Sequence, residues 1–320
     1  MPSLFVGIDV SQATLDVCIL PPDRAFRVDN TPAGHATLID TLRGLAADPA
    51  EVRAVLESTG GLELPVALAL QAAGFPVAPI KPERARHFAK AHGQLAKTDA
   101  IDARILARFA QAIDLPVHPL PAEDVRLLRD LLDRRGQLVA MRTMETNHVS
   151  STGDPKALAS LKKHIAWLDR EIGRIESDID RRVAANPQWQ EIDRILQSIP
   201  GVGPQTSHTL LGQLPELGRV DRKVIGLLVG LAPLANDTGG KEGPRHIVGG
   251  RQQVRNVLYM AALVASRCNP VARALYVRLM QRGKSAKVAL IAVAHKLLTI
   301  ANAMVRNRTE WRHSTVANSA

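Results

Sequence analysis

The sequence predicts a mixed α/β domain at the N-terminus, then a helical hairpin and a mainly α-helical C-terminal domain. Short apolar runs alternate with turns and helical patterns over residues 1–115. Apolar residues at helical spacing fill residues 122–186, and helical segments separated by Gly and Pro fill residues 190–310. These three observations define three predicted domains, followed by a flexible tail at residues 311–320.

Five short apolar runs near the N-terminus have the composition of β-strands. They span residues 4–10, 14–20, 25–29, 53–57 and 76–80. Helical patterns surround the last two runs, at residues 31–45, at residues 62–73 and from Lys81 onward. Three strands in a meander, followed by strands that alternate with helices, predict a mixed sheet in the ribonuclease-H-like layout.

Four carboxylates fall at the ends of these predicted elements. Asp9 ends the first strand, Glu57 ends the fourth, and Asp99 and Asp102 open a helix. Strands one and four are neighbours in this layout, so Asp9 and Glu57 can face each other. Carboxylate oxygens suit Mg²⁺, and in two-metal phosphodiester chemistry one ion activates the attacking oxygen while the other stabilises the leaving oxygen. The alternative is helix capping, with Thr98 or Asp99 as N-cap and Asp102 in the favourable first turn.

The region after a proline-rich linker at residues 113–121 predicts two long helices joined by a turn. Apolar residues in the second helix recur in alternating steps of three and four. They are Leu161, Ile165, Leu168, Ile172, Ile175, Ile179 and Val183. This heptad spacing predicts an antiparallel coiled-coil hairpin that serves dimerisation, and the alternative is a hairpin packed only on its own chain.

Two glycine-rich segments of the C-terminal domain are candidates for nucleic-acid contact. Gly201 and Gly203 lie in a Pro-Gly-Val-Gly connection between helices, which resembles a helix-hairpin-helix element and would let backbone N–H groups approach a phosphate. The alternative is an ordinary helix connection. A second Gly- and Pro-rich loop would expose the hydroxyl of Thr238 among basic side chains suited to a phosphate, and the alternative is a plain surface loop. These basic residues are Lys241, Arg245, Arg251 and Arg255.

The charge distribution predicts a nucleic-acid partner. The chain has 41 Lys and Arg against 31 Asp and Glu, a net charge of +10. Residues 241–320 hold 14 of the basic residues and only two acids, Glu242 and Glu310. A basic C-terminal block on a nearly neutral body indicates a polyanion, for which DNA or RNA is the expected class.

The cysteines and the N-terminus predict a cytoplasmic protein. Cys18 and Cys268 are the only cysteines, which excludes a disulfide framework and a cysteine-based zinc site. The N-terminus lacks the basic segment of a signal peptide, and we expect no apolar run long enough to span a bilayer.

Six motifs, in order along nearly the whole chain, resemble one family. They are Val6-Gly-Ile-Asp-Val-Ser11, Leu56-Glu-Ser-Thr-Gly60, Lys97-Thr-Asp-Ala-Ile-Asp-Ala-Arg104, Ser198-Ile-Pro-Gly-Val-Gly203, Gly230-Leu-Ala-Pro233 and Gly249-Gly-Arg251. The chain resembles the DEDD transposases of insertion-sequence family one-ten, described as bridge-RNA-guided recombinases. The resemblance implies a RuvC-like domain whose tetrad, Asp9, Glu57, Asp99 and Asp102, binds Mg²⁺.

The resemblance also implies a coiled coil, a C-terminal transposase domain, and a structured RNA that pairs with donor and target DNA. In the family a serine forms a covalent bond to DNA, and the acids of one subunit work with the serine of another. A homo-oligomer follows, a dimer assembling to a tetramer.

This sequence departs from the family at the nucleophile, because Asp237-Thr238-Gly239 replaces acid, serine and glycine. We hypothesise that Thr238 is a slower nucleophile, since its branched side chain hinders in-line attack. The other nearby hydroxyls, Ser207, Ser266 and Ser285, fall in predicted helices or a helix break. The rival interpretations are an inactive relative, a junction nuclease in which water attacks, and a nucleic-acid-binding protein whose acids only cap helices.

Overall fold

The computed structural model describes residues 2–94, 98–117, 119–233 and 246–312, with only the backbone described at residues 99 and 100. The chain forms two compact units, Met1–Leu120 and Pro121–Ala320. The first is a mixed α/β unit and the second is helical throughout its described elements. The finer boundaries predicted within the second unit, between hairpin and C-terminal domain, stay a prediction.

The first unit is built on a five-stranded sheet of order β3-β2-β1-β4-β5. The strands are β1 (Leu4–Val10), β2 (Thr14–Leu20), β3 (Arg24–Asp29), β4 (Val52–Glu57) and β5 (Val77–Ile80). The first three pair antiparallel, while β4 pairs parallel with β1 and β5. This confirms the predicted mixed sheet, with strand bounds that differ from the expected ones by one residue at most.

Helices cover both faces of this sheet. They are α1 (Pro32–Leu45), α2 (Leu64–Ala72), α3 (Pro82–Ala91) and α4 (Asp99–Ala112). Val6 and Ile8 of β1 point into an apolar core with residues of α1 and α2. On the opposite face, a Cβ at Gly7 would lie 2.0 Å from the carbonyl oxygen of Ala103. Helix α4 therefore lies directly on the backbone of β1, and only glycine permits this approach.

The second unit begins with the predicted antiparallel hairpin of α5 (Glu123–Ser151) and α6 (Pro155–Ala185). Ion pairs cross between the helices, Arg135 with Glu176 at 2.6 Å and Arg142 with Asp169 at 2.5 Å. Buried apolar residues lie between the helices and at the base of the hairpin, where it meets the next helices. They are Leu128, Leu132, Leu138, Leu168, Ile179 and Val183. Its role in dimerisation stays a prediction.

Six further helices form an apolar core of their own. They are α7 (Pro187–Gln197), α8 (Pro204–Gln213), α9 (Arg222–Val229), α10 (Gln252–Cys268), α11 (Pro270–Gln281) and α12 (Ala286–Asn307). Trp311 packs against this core, and its backbone N–H donates to Ser198 Oγ at 2.8 Å. Residue 311 therefore belongs to the folded unit and not to a flexible tail, which corrects the predicted boundary.

Helix α12 corrects another expectation. Within the described ranges it is the one helix long and apolar enough to cross a membrane by length and composition. Half of its apolar window is buried inside the unit, where Val293, Leu297 and Leu298 contribute to the helical core. This burial is the ordinary position of a core helix, so the length of α12 is weak evidence for a membrane span.

Candidate acidic site and nucleic-acid interface

Asp9 and Glu57 lie side by side at the ends of two parallel strands. The register between β1 and β4 pairs Ile8 with Leu56, so these acids are the next residues along each strand. Side chains alternate along a strand, which places Asp9 on the face of Gly7 and Glu57 on the face of Val55. Both acids therefore lie on the sheet face that α4 covers.

The direction of α4 brings its N-terminus to the same end of the sheet. Arg53, near the start of β4, pairs with Asp114 at 2.5 Å, just after α4 ends. The C-terminal end of α4 therefore lies at the far end of the sheet, and Asp99 and Asp102 lie at the end where Asp9 and Glu57 are found. The backbone at the start of α4 therefore lies at the same end of the sheet as Asp9 and Glu57.

The capping alternative is realised by Thr98 and not by an acid. The Thr98 side chain accepts a hydrogen bond from the Ile101 N–H at 3.3 Å, and Asp99 is the first helical residue. Asp99 and Asp102 occupy the first turn, where the helix dipole favours negative charge. Capping and metal binding are therefore compatible, because a separate residue supplies the cap.

The described side chains test the predicted metal site only in part. Among them, no group of three or more His, Cys, Asp or Glu lies close enough to hold an ion. The side chain of Asp99 lies outside the description. Close by in sequence, the Thr59 hydroxyl is buried two residues after Glu57 and has no hydrogen-bond partner in the described part of the chain. Metal binding by the four acids stays a prediction.

Asp16 is a fifth acid at this edge, which the sequence analysis missed. The register pairs Asp9 with Asp16 across β1 and β2, and Asp16 with Arg27 across β2 and β3. Directly opposed residues share a face, so Asp16 lies beside Asp9. Arg27 Nε donates to both Asp16 oxygens at 3.1 Å, and Arg27 Nη2 lies 2.9 Å from Oδ2. The sequence did contain a signal for this site, because Asp16 is a charged residue within the otherwise apolar strand β2.

In the second unit, Gly201 and Gly203 have different structural roles. Gly201 has φ of +98°, and a Cβ there would lie 2.6 Å from the Ala265 Cβ, so this glycine allows the connection to pack on α10. Gly203 is exposed at the start of α8, with no described atom within 4 Å of an added Cβ. Phosphate contact at either glycine stays a prediction.

Arg251 and Arg255 are both engaged within the protein. Arg251 binds the two Glu216 oxygens at 2.5 and 2.6 Å. Burial alone would raise the pKa of Glu216, but the hydrogen bonds and charge of Arg251 hold that pKa below its usual value. Arg255 Nη1 donates to the Gly249 carbonyl at 2.5 Å. Nucleic-acid binding by these two arginines stays a prediction.

The loop hydroxyl and its nearest bases, Thr238, Lys241 and Arg245, lie outside the described residues. The structure does describe Ser207, which is fully buried in α8. Its hydroxyl donates to Asp193 at 2.6 Å, and Gln197 donates to the same carboxylate at 2.7 Å. Burial alone would raise the pKa of Asp193, but hydrogen bonds from His208, Ser207 and Gln197 lower it. Ser207 is therefore a structural residue, inaccessible to a DNA phosphate.

Comparison with known proteins gives two family matches along this chain. Residues 6–152 match the DEDD transposase model of the IS110 group, described as "Transposase". Residues 193–277 match the model described as "Transposase IS116/IS110/IS902 family". Together the two matches span nearly three quarters of the chain.

Three relatives show the same similarity. The "Pilin gene-inverting protein" of Moraxella bovis is 25% identical over 319 residues, which cover 96% of this chain and 97% of the relative. The "Insertion element IS900 uncharacterized 42 kDa protein" of Mycobacterium paratuberculosis is 26% identical over 99% of both chains. The "Insertion element IS110 uncharacterized 43.6 kDa protein" of Streptomyces coelicolor is 26% identical over 58% of this chain and 44% of its own length.

The first unit has a mixed sheet with Asp9 and Glu57 at one end of its strands, and the second unit is helical. Transposase models match regions in both units, so the class of protein is a DNA transposase or recombinase. The chain belongs to the IS110 family of transposases.

Proposed function

We propose that this chain cuts and rejoins DNA through a hydroxyl nucleophile, with Mg²⁺ held by Asp9, Glu57, Asp99 and Asp102. The single observation that supports the proposal is the register of β1 and β4, together with the direction of α4. Asp9 and Glu57 end adjacent parallel strands on the face that receives the N-terminus of α4. This placement supports a ribonuclease-H-like, RuvC-like assignment for the first unit.

The donor set at this edge fits a hard divalent cation. Carboxylate oxygens are the ligands that Mg²⁺ prefers, and the buried Thr59 hydroxyl, which has no partner among the described residues, adds a polar oxygen close to Glu57 in sequence. When bound, the ion would polarise the scissile phosphodiester and help to deprotonate the attacking hydroxyl. The protein's own part is positioning, because Thr98 caps α4 and thereby fixes the start of the helix that bears two acids.

We further propose that Thr238 supplies the hydroxyl. Its oxygen would bond to phosphorus as the bond to the leaving deoxyribose oxygen breaks, and the threonine proton would pass to a base or water. A phosphothreonine link to DNA would result. The burial of Ser207 supports this assignment by removing one of the competing hydroxyls. The methyl group of threonine restricts χ1 and would make the attack slower than that of serine.

The proposed partners are donor DNA, target DNA and a structured guide RNA of the element. The protein would bind them as a homo-oligomer in the cytoplasm. A printed name supports DNA rearrangement, since one relative is a pilin gene-inverting protein. The 14 basic residues in residues 241–320 supply charge for the nucleic-acid backbone. The hairpin of α5 and α6 supplies a surface for the dimer, which would assemble to a tetramer.

The test is a denaturing gel that detects a protein–DNA adduct. Purified protein, the element's RNA, Mg²⁺ and labelled donor and target DNA are incubated with the wild type, Asp9→Asn or Thr238→Ala. We expect an adduct in the wild type and none in either variant. Ser207→Ala is the matched control, because it removes a buried hydroxyl from a structural network and should leave the adduct.

The departure at Thr238 favours one second candidate, a metal-dependent nuclease in which water attacks. In that case DNA would be cleaved without an adduct, and Thr238→Ala would cleave as fast as the wild type. If neither cleavage nor an adduct forms, Thr238→Ser distinguishes a silenced enzyme from a binding protein. An adduct restored by serine would identify threonine as the cause of the silence.

A further inference from the structure

The pair of Asp16 and Arg27 extends the acid edge into a row of charged residues across the sheet. From β3 to β4 the row consists of Arg27, Asp16, Asp9 and Glu57. Arg27 is paired with Asp16 and Asp16 with Asp9, while Asp9 and Glu57 each follow a residue of the Ile8–Leu56 pair. All four lie on the α4 face. Neighbouring strands are about 4.8 Å apart, which puts the Cα atoms of Arg27 and Asp9 about 10 Å apart.

The two members of the pair differ in exposure. The Asp16 side chain is 12% exposed, whereas the Arg27 side chain is 57% exposed. Asp16 is therefore the more buried partner, and the Arg27 side chain keeps more than half of its surface exposed while its guanidinium reaches across to β2. A bidentate contact of this kind fixes the plane of a guanidinium as well as its position.

A purely structural pair would be an unfavourable choice at this position. A buried carboxylate loses hydration, and Asp16 also lies directly opposite another acid, Asp9, which adds repulsion. An apolar residue would fill the same space in β2 at lower cost. The arrangement is explained if Asp16 serves to hold the Arg27 guanidinium in a fixed position in line with the acids.

We propose that Arg27, held by Asp16, binds a backbone phosphate of the DNA strand that crosses the acid edge. This inference rests on the proposed function, since it takes the acids as the place of cleavage. The contacted phosphate is a neighbour of the scissile one and not the scissile phosphate itself, because Asp16 separates Arg27 from Asp9. Arg27 is a binding residue, and Asp16 is its positioning residue.

The experiment measures DNA binding without cleavage, so its result does not depend on detecting an adduct. Labelled duplex carrying the element's junction is titrated at several salt concentrations with the element's RNA, and with Ca²⁺ in place of Mg²⁺. We expect Arg27→Gln to bind about five- to tenfold more weakly, with a salt slope lower by about one. Arg27→Lys should keep the slope while losing affinity, because lysine keeps the charge without the fork.

Phosphate-ethylation interference then locates the contact. In the wild type, ethylation of individual phosphates near the cleavage position should block binding, and each such phosphate gives an interference signal. In Arg27→Gln the signal from one of these phosphates should disappear. Asp16→Asn should weaken the same signal while keeping the salt slope. Arg43→Gln is the matched control, since Arg43 is an exposed arginine of α1 that pairs with Asp40. Arg43→Gln should change neither the interference signals near the cleavage position nor the salt slope of DNA binding.

The structural alternative gives a different pattern. If Arg27 only neutralises Asp16, then Arg27→Gln lowers the melting temperature while slope and interference signals match the wild type, and the proposal is overturned. A different result is also possible: Arg27→Gln lowers the salt slope and loses the interference signal as expected, but no Mg²⁺ reaction gives an adduct. That result would count against the proposed nucleophile and leave the phosphate contact in place. Circular dichroism of each variant separates a lost contact from a lost fold, and Arg27→Lys keeps the test decisive if Arg27→Gln does not fold.

Discussion

Replacing Gly7 by alanine tests whether the contact between α4 and β1 sets the acid geometry. The added Cβ would lie 2.0 Å from the Ala103 carbonyl oxygen and 2.3 Å from the Ala107 nitrogen. Both are backbone atoms, so no side-chain rotation relieves the overlap. Even the shortest contact that Cβ atoms tolerate is 3.0 Å, so α4 must move away by about 1 Å.

Two effects follow from this displacement. Overpacking of this kind costs about 1–3 kcal/mol of unfolding free energy. The helix that moves carries Asp99 and Asp102, and a 1 Å misplacement of catalytic groups costs about 100-fold in rate. We therefore expect Gly7→Ala to lower stability and to slow adduct formation by about two orders of magnitude.

Urea unfolding followed by circular dichroism and a timed adduct gel measure these two effects. Gly44→Ala is the matched control, because Gly44 lies within α1 and an added Cβ meets no described atom within 4 Å. There alanine should stabilise the protein by about 0.5–1 kcal/mol. A Gly7→Ala protein with wild-type stability and rate would refute the argument that α4 is held directly on β1.

Three further predictions concern the second unit. Gly201→Ala should lower the unfolding free energy by at least about 2 kcal/mol in a urea titration, because it combines positive φ with a clash against α10, while Gly203→Ala should be nearly neutral. The Arg251–Glu216 pair should stabilise the fold above the ordinary glutamate pKa, and this contribution should disappear as pH falls through the lowered folded-state pKa. Melting temperatures from pH 6 down to about pH 3 should show this acid-side loss, and Arg251→Gln should remove it; equal slopes in both proteins would contradict it. Removing four exposed charges at the turn between α11 and α12 should lower the salt slope of DNA binding by about three to four units, and an unchanged slope would exclude this turn from the interface. The four residues are Arg278, Arg282, Lys284 and Lys287.

The sequence predicted the sheet well because its strands are short apolar runs bounded by clear turn residues. Asp9 and Glu57 could be placed together because strand order follows from the meander and the later alternation. The position of Asp99 and Asp102 followed from helical spacing, and only the structure supplied the direction of α4 through the Arg53–Asp114 pair.

Other features depend on contacts between distant segments, which local patterns do not contain. The Asp16–Arg27 pair needs the exact register of two hairpin strands. The packing role of Gly201 needs Ala265, far along the chain. Helix α9 was not predicted, although its signals were present, because Asp221 caps its start and Gly230 ends it with φ of +72°. Its short length gave little periodicity to detect.

Helix α4 both covers one face of the sheet and carries two of the proposed site acids. The first unit therefore cannot finish folding without also bringing these acids to the sheet. This helix buries Val55 and Cys18 on the second face of the sheet, and the same helix bears the last two acids. A chain that stops before α4, through stalled synthesis or a truncated gene copy, has strands β1 to β5 but exposes that apolar face to water. Such a fragment would be prone to aggregation, and it would also lack Asp99 and Asp102, so it could not assemble the proposed acid site.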